Sequence, residues 1–499
     1  MKPLTSTRPT MGGGHRASVC ARLVRALAVV PIGGLVACAA SESASVSCNS
    51  APSAPQIEPL LPGAIPVTVE RLATGCGTVV VSSGIPLPPG TLRSDQLSEI
   101  RLFVGGQEQR LYVEALEGTH ADGSLRAVLV QFRAELVAGA SRPGQLLFGQ
   151  QRATQDIAKP STSRAAPAAI VLPTDPDYLT RTLLVGPTIT VSAARQLSAA
   201  AQKYESDFAT YADQHWMRAG ANWEEDYYDR ALIYYAWWIR SGNLEYWKRA
   251  TAQAVSYRTD YLEKNDYNSS PHWAQLEGLE KHYLLTGDEA SRVALGGVAD
   301  KLNEGYQPTL GNTDNWWDNR IQARLLQSYL LAWMLNASST RSLNWAALLD
   351  DALTKILSTQ QADGSYRFVS FCGQSANYMA GLLNDVMIRY YVYYKADTRI
   401  PDAIRRSADF MWNTQWVSSA QAFKYMSGVC AGAGDDGPAP DLNNLIVTSF
   451  SWTYRMTQNA AYRTQADSIF AGAVNGAWLG GSKQFNQHYT SSFRHLGYR

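Results

Sequence analysis

The chain has 499 residues, of which 45% are hydrophobic and 17% charged, and its 44 Lys and Arg nearly balance its 43 Asp and Glu. This composition is typical of a globular protein and excludes a collagen, a coiled coil or a largely disordered chain. Without residues 1–37, which hold five basic residues and no acidic one, 39 basic and 43 acidic residues leave a net charge of −4. That charge argues against nucleic-acid binding, because neutralising phosphates requires a cationic surface.

Residues 1–37 have the layout of a secretory signal. Five basic residues precede an apolar stretch from Ala26 to Ala37, which is too short to span a bilayer stably. The stretch ends in Leu35-Val36-Ala37-Cys38, which resembles the lipobox of bacterial lipoproteins. The resemblance implies a lipidated Cys38 as first mature residue; an ordinary signal cut near the same alanines is the alternative. We therefore expect export and lipid anchoring to the bacterial cell envelope, on its periplasmic or surface face.

Residues 38–66 are rich in Ser, Ala and Pro, which predicts a disordered tether. The rest of the exported chain holds four more cysteines, and in an oxidising compartment an even number favours disulfides. Three pairings are possible, and we prefer the one that keeps each bridge within one region. It joins Cys48 to Cys76 and Cys372 to Cys430.

Residues 67–199 are predicted to form a β domain. Apolar and polar side chains alternate along stretches such as Val67–Leu72, and Gly105-Gly106 and Asp122-Gly123 have the composition of hairpin turns. The ordered set of Ser83–Gly90, a strand ending at Gly105-Gly106, and the Asp122-Gly-Ser turn before an apolar strand resembles exo-rhamnogalacturonan-lyase-like proteins. This resemblance implies their N-terminal, barrel-like or sandwich-like β domain.

Residues 200–499 contain all 14 Trp and 24 of the 26 Tyr, and their pattern is helical. An amphipathic helix, a short polar turn and a second helix recur five times. The turns are marked by Gly242, Gly287, Ala337, Ala396 and Asn459, which are 45, 50, 59 and 63 residues apart. This spacing fits two helices plus their connections, and we expect a catalytic α/α toroid of five or six hairpins.

Four connections between the repeats are much longer than the others. They cover residues 264–272, 305–320, 363–378 and 426–444. Long connections in a compact domain are usually functional, and we expect these four to surround one mouth of the toroid.

Aromatic, amide and guanidinium side chains in these connections suggest a sugar site. Flat aromatic faces suit the C–H surfaces of pyranose rings, whereas Asn and Arg bind hydroxyls and carboxylates. Aromatic residues inside the helices are better explained as core. The expected substrate-binding residues are Trp273, Asn315, Trp316, Trp317, Asn319, Arg320 and Asn377.

The segment Pro271–Asp288 resembles toroidal polysaccharide lyases, in which a His at the entrance of an inner helix precedes a similar stretch. Such lyases cleave uronic-acid glycans by β-elimination, which needs a base for the C5 proton and an acid for the leaving oxygen. The resemblance makes His272 the first catalytic candidate, and a helix N-terminus would keep its imidazole neutral. Tyr378, beside Asn377, is the second. A periplasmic or surface polysaccharide or oligosaccharide is thus the expected partner.

Two other functions stay open at this point. An inverting glycoside hydrolase needs a pair of carboxyl groups across the mouth, and Glu277 and Asp318 are the first choice. A non-catalytic glycan-binding or envelope lipoprotein is the other. Basic residues clustered around the mouth favour the lyase, and a carboxyl pair favours the hydrolase. We expect no cofactor; the acidic loop with Asp435, Asp436 and Asp441 is a weak Ca²⁺ candidate without a defined ligand spacing.

Overall fold

The computed structural model describes residues 59–218, 227–311, 318–366, 375–427 and 437–499. The predicted signal, the lipidation site Cys38 and the tether up to residue 58 lie outside them. Cys76 is disulfide-bonded. Cys48, Cys372 and Cys430 lie outside the described residues, so the two pairings stay predictions. None of the described helices combines the length and the apolar character that a membrane crossing requires.

An eight-stranded sheet forms the first part of the described chain. Its strands are β1 Ile65–Arg71, β2 Cys76–Pro86, β3 Arg101–Val104, β4 Gln107–Glu108, β5 Tyr112–Ala115, β6 Ala127–Val137, β7 Ser141–Leu147 and β8 Ala169–Pro173. Their spatial order is β4-β3-β7-β1-β8-β2-β6-β5. Because β4 and β5 occupy the two edges, the described strands form an open sheet and not a closed barrel.

Both faces of this sheet are buried, as the alternation along β6 shows. Val128, Val130 and Phe132 point into a core formed within the sheet region. Ala127 and Leu129, on the opposite face, belong to the core shared with the helices. Since successive side chains of a strand point to opposite faces, one face of the sheet closes its own core and the other packs on the helical part.

The remainder is mainly helical. The helices are α1 Pro176–Arg181, α2 Val191–Arg195, α3 Ala199–Arg218, α4 Arg230–Ser241, α5 Leu244–Ser256, α6 Glu277–Thr286, α7 Glu289–Tyr306, α8 Asn319–Met334, α9 Trp345–Ser358, α10 Asn377–Tyr393, α11 Arg399–Phe410, α12 Val447–Thr457, α13 Ala460–Gly476, α14 Ser482–Tyr489 and α15 Phe493–Tyr498. The five expected helix–turn–helix units are α4–α5, α6–α7, α8–α9, α10–α11 and α12–α13. The helices α1 and α2 lie within the stretch expected to be β structure.

Contacts among alternate helices follow the chain around a ring. Helix α4 packs on α6, α8 on α10, α10 on α12, and α12 on α15, while α14 returns to α4. A hydrogen bond from Gln327 Nε2 to Glu277 Oε1, 3.1 Å long, joins α8 to α6. The second helix of each unit packs on these inner helices and exposes one face to solvent, whereas α4 and α6 are almost wholly buried. These second helices are α5, α7, α9, α11 and α13. The inner helices therefore surround a common centre.

The sheet packs against the C-terminal ends of the inner helices. Helix α4 ends at Gly242 in the left-handed conformation, with φ 71°, and a Cβ there would lie 2.1 Å from the Thr174 carbonyl oxygen. A Cβ on Gly84 of β2 would lie 2.1 Å from the carbonyl oxygen of Leu284 in α6. Only glycine allows backbones to approach so closely. The long connections precede the N-terminal ends of these helices, so they lead to the end of the ring away from the sheet.

Candidate functional site

Arg320 lies at the centre of a polar cluster at the N-terminal end of α8. Asp318 caps this helix, and its Oδ1 accepts the backbone N–H of Arg320 at 2.8 Å. The other carboxylate oxygen lies 2.6 Å from Arg320 Nη2, while Arg320 Nη1 donates to the hydroxyl of Tyr227. Asp318 is fully buried and Arg320 only 12% exposed. The guanidinium is therefore held in a fixed place by groups from two elements.

His272 lies beside this cluster and stays accessible. Its side chain is 41% exposed, and Nε2 is 3.9 Å from Asp318 Oδ2. The expectation that His272 begins an inner helix was wrong, because α6 begins five residues later at Glu277. Partial burial lowers the pKa of His272, and the charge of Arg320 lowers it further against the opposing effect of Asp318. The imidazole is thus neutral at neutral pH without a helix dipole.

Tyr378 occupies the first turn of α10, as expected. Two short strands, Ser375–Ala376 and Met426–Ser427, pair just before this helix. Consequently the Tyr378 ring stacks on Tyr425 with centroids 5.5 Å apart. Burial raises the pKa of Tyr378, although Arg320 opposes the shift. The phenol therefore keeps its proton at neutral pH.

Below Arg320, a buried ion network fills the centre of the ring. Arg494 of α15 binds Asp385 Oδ2 at 3.0 Å and Glu277 Oε2 at 2.5 Å. Arg389 of α10 reaches the same Glu277 oxygen at 2.9 Å. Burial alone would raise the pKa of Glu277, but these two guanidinium groups outweigh it and lower the pKa to about 2. Glu277 is therefore a permanent anion.

These ion pairs bear on the carboxyl pair proposed for a hydrolase. Glu277 is held by two arginines, and its lowered pKa keeps it ionised near neutral pH. Asp318 is ion-paired with Arg320 and caps α8. Burial raises the pKa of Asp229 to about 6. Its two oxygens, however, cap α4 at the Leu232 N–H and accept the Gly278 N–H. Glu277, Asp318 and Asp229 thus serve in ion pairs or helix capping.

The other expected site residues differ in their surroundings. Trp273 is partly buried, with its ring 5.1 Å from that of Tyr261. Asn319 and Asn377 are buried; each donates one hydrogen bond, to Gln322 Oε1 and the Lys424 carbonyl oxygen respectively. Each also has a side-chain carbonyl oxygen without a hydrogen-bond partner in the described part of the chain. Asn315, Trp316 and Trp317 lie outside the described residues.

Sequence reasoning did not assign Tyr227, Tyr425, Arg389 or Arg494 to the site. A usable signal existed for one of them: the pair Asp385 and Arg389 is spaced i, i+4 inside an otherwise apolar inner helix, where charged residues are rarely buried without partners. Arg494 carried no such signal.

The described residues contain no group of three or more His, Cys, Asp or Glu side chains that could hold a metal ion. Of the acidic loop considered for Ca²⁺, Asp435 and Asp436 lie outside the described residues. Asp441 accepts hydrogen bonds from Gln487 Nε2 at its backbone carbonyl and its carboxylate.

No protein-family model matches the chain. No curated protein matches it either. Solved structures with similar folds include a cellobiose 2-epimerase from Bacillus thermoamylovorans (8% identity, TM-score 0.37), which covers 50% of this chain and 74% of its own. An unsaturated glucuronyl hydrolase from Bacillus sp. GL1 has 10% identity and TM-score 0.39, covering 50% and 73%. A family 88 glycosyl hydrolase from Bacteroides vulgatus has 11% identity and TM-score 0.43, covering 60% and 100%.

Proposed function

We propose that the protein is a carbohydrate-active enzyme, and specifically a polysaccharide lyase that cleaves a uronic-acid glycan by β-elimination. One observation carries the proposal. Arg320 lowers the pKa of the neutral, accessible His272 and also acts on the protonated Tyr378. By contrast, Glu277 and Asp318 are ion-paired and Asp229 caps a helix. Contacts of α14 with α3 and α4 favour a sixth hairpin, and hence an (α/α)6 toroid.

β-Elimination assigns a distinct task to each of these groups. Arg320 holds the substrate carboxylate and stabilises the negative charge that develops on it. His272 takes the C5 proton, the C4–O bond breaks as the C4–C5 double bond forms, and Tyr378 donates its proton to the leaving oxygen. Asp318, 3.9 Å from Nε2, stabilises the imidazolium that results.

The test is product chemistry on a panel of acidic and neutral polysaccharides. A lyase generates a C4–C5 double bond conjugated to the carboxylate, which absorbs in the ultraviolet, and each cleavage also creates one reducing end. Reducing ends without this absorbance would indicate the hydrolase instead. No product with any polysaccharide would favour the non-catalytic, glycan-binding lipoprotein.

Two variants test the assigned roles. His272→Ala is expected to lower kcat by a factor of about 100 or more, because general base catalysis contributes about 10²–10⁴. Tyr378→Phe keeps the ring stacked on Tyr425 but removes the acid, so kcat falls while KM changes little. His120→Ala is the matched control, since this partly exposed histidine bonds the Leu87 carbonyl in the sheet region. An unchanged kcat in His272→Ala would show that His272 is not the general base.

Export and lipid anchoring at Cys38 belong to the same proposal, because a polysaccharide substrate lies outside the cytoplasm. Mass spectrometry of the mature N-terminus from a bacterial host should find a diacylglycerol adduct on Cys38. An unmodified N-terminal residue at another position would contradict it.

A further inference from the structure

Tyr227 connects three parts of the ring at the end away from the sheet. It lies in the segment before α4, and its hydroxyl accepts a hydrogen bond from Arg320 Nη1 of α8. Lys483 of α14 places its Nζ 4.5 Å from the centre of the Tyr227 ring. The guanidinium carbon of Arg320 lies 5.5 Å from the same centre. Both distances fit cation–π contacts, so this one side chain contacts cations from two other helices.

The Tyr227 ring is restricted from within the protein as well as from its surface. Its neighbour Tyr228 is only 1% exposed, and the centres of the two rings are 5.4 Å apart in an edge-to-face arrangement. Tyr227 itself is partly buried, whereas Lys483 is exposed. The buried Tyr228 and the exposed Lys483 therefore both limit where the Tyr227 hydroxyl can lie.

Arg320 needs this second contact because a single ion pair does not fix a long, flexible side chain. Asp318 Oδ2 binds only Nη2 of the guanidinium, at 2.6 Å. The Nε atom has no hydrogen-bond partner among the described residues. With Asp318 alone, the guanidinium could pivot about that one contact. The bond from Nη1 to the Tyr227 hydroxyl prevents the pivot, since contacts at two nitrogens fix a planar group.

The position of Arg320 determines which charges act on His272. Asp318 Oδ2, the atom that Arg320 Nη2 binds, is also 3.9 Å from His272 Nε2. The charge of Arg320 lowers the pKa of His272, and that of Asp318 raises it. The charged and titratable groups that act on Arg320 are Asp318, Tyr227 and Tyr378. A guanidinium that moved away would repel the imidazolium less and would leave Oδ2 free to attract it. Both changes favour the protonated imidazole.

We infer that Tyr227 and Lys483 are positioning residues: Lys483 holds the Tyr227 ring, and the Tyr227 hydroxyl holds the Arg320 guanidinium beside His272. This inference rests on the proposed function, in which Arg320 binds the substrate carboxylate and His272 is the base. It adds a link from α14, near the C-terminus, to the reacting groups. The positions of the two cations can be tested without any substrate.

Nuclear magnetic resonance titration of His272 in the full mature protein is that test. With isotope-labelled histidine, the His272 signal is the one that His272→Gln lacks. Tyr227→Phe keeps the ring and its contact with Lys483 but removes the hydroxyl. It should raise the pKa of His272 by about 0.5 or more, because a nearby charge shifts a pKa by about 1–3 and solvent weakens the effect at this partly exposed site. Lys483→Met should raise the pKa by a smaller amount.

A double variant separates an indirect effect of Lys483 from a direct one. If Lys483 acts through Tyr227, adding Lys483→Met to Tyr227→Phe should leave the pKa of His272 as it is in Tyr227→Phe alone, whereas independent effects would add. Tyr454→Phe and Arg463→Met are the matched controls, because the Arg463 guanidinium carbon lies 5.9 Å from the centre of the Tyr454 ring. Neither control should change the pKa of His272.

An unchanged pKa of His272 in a folded Tyr227→Phe protein would overturn the inference. An unchanged pKa in Lys483→Met, which replaces an exposed residue, would overturn it even if Tyr227→Phe did not fold. Additive shifts in the double variant would show that Lys483 does not act through Tyr227. Unsaturated product with an unchanged pKa removes only the positioning role. The expected shift without unsaturated product removes only the lyase.

Discussion

Glu277→Gln should destabilise the protein in a way that depends on pH. Glutamine has the same shape as glutamate but cannot neutralise Arg389 and Arg494. The pKa of Glu277 falls from 4.5 to about 2 in the folded protein, and at about 1.4 kcal/mol per pKa unit its ionised form contributes about 3 kcal/mol to stability. This value agrees with the cost of about 3–5 kcal/mol that is typical of breaking a buried ion pair.

The sign of the pH dependence follows from the direction of that shift. Because the folded pKa lies below the unfolded one, the contribution is complete above about pH 4.5 and disappears as the pH falls through about 2. Near pH 3, about 1.4 kcal/mol should remain. The difference between wild type and Glu277→Gln therefore shrinks by more than half between neutral pH and about pH 3.

Urea unfolding followed by tryptophan fluorescence and far-ultraviolet circular dichroism measures this difference at each pH. Glu304→Gln serves as control, since its side chain is 63% exposed and surface charges contribute little. A Glu277→Gln protein as stable as wild type at neutral pH, or a loss of equal size at both pH values, would refute the reasoning. Loss of sugar release with unchanged stability would instead make Glu277 a catalytic acid and support the hydrolase.

Gly84→Ala should lower the free energy of unfolding by about 1–3 kcal/mol or more, because the new Cβ would lie 2.1 Å from the Leu284 carbonyl oxygen. Gly305→Ala is the control, since no atom lies within 4 Å of its Cβ. It should leave the melting temperature unchanged or slightly higher. Lyase activity should be lost as the pH falls through the lowered pKa of His272, since the base must be neutral. Arg320→Gln removes a charge that depresses this pKa, so the acid limb of the kcat/KM profile should move to higher pH; an unmoved limb would contradict the assignment of His272 as the base.

Patterns that depend on near neighbours could be predicted from the sequence. Alternation along β1 and β6 predicts strands because successive side chains of a strand face opposite ways. The helix–turn–helix units are predicted because amphipathic periodicity and glycine at a helix end are properties of a few adjacent residues. The composition of the long connections led to Arg320 and Tyr378, and the resemblance to toroidal lyases led to His272. In the structure the charge of Arg320 acts on both other residues.

The ionisation of the site depended on tertiary structure alone. Arg494 and Glu277 are 217 residues apart in the sequence, yet Arg494 donates a hydrogen bond to Glu277. The residues next to either one in the sequence do not predict this contact. The sequence presents Glu277 as one acid among many; its pKa of about 2 arises because folding buries it against two arginines from different helices. Charge interactions strengthen when water is excluded. The protonation state of these groups therefore depends on which charged partners are buried beside them. Only the packed tertiary structure determines those partners.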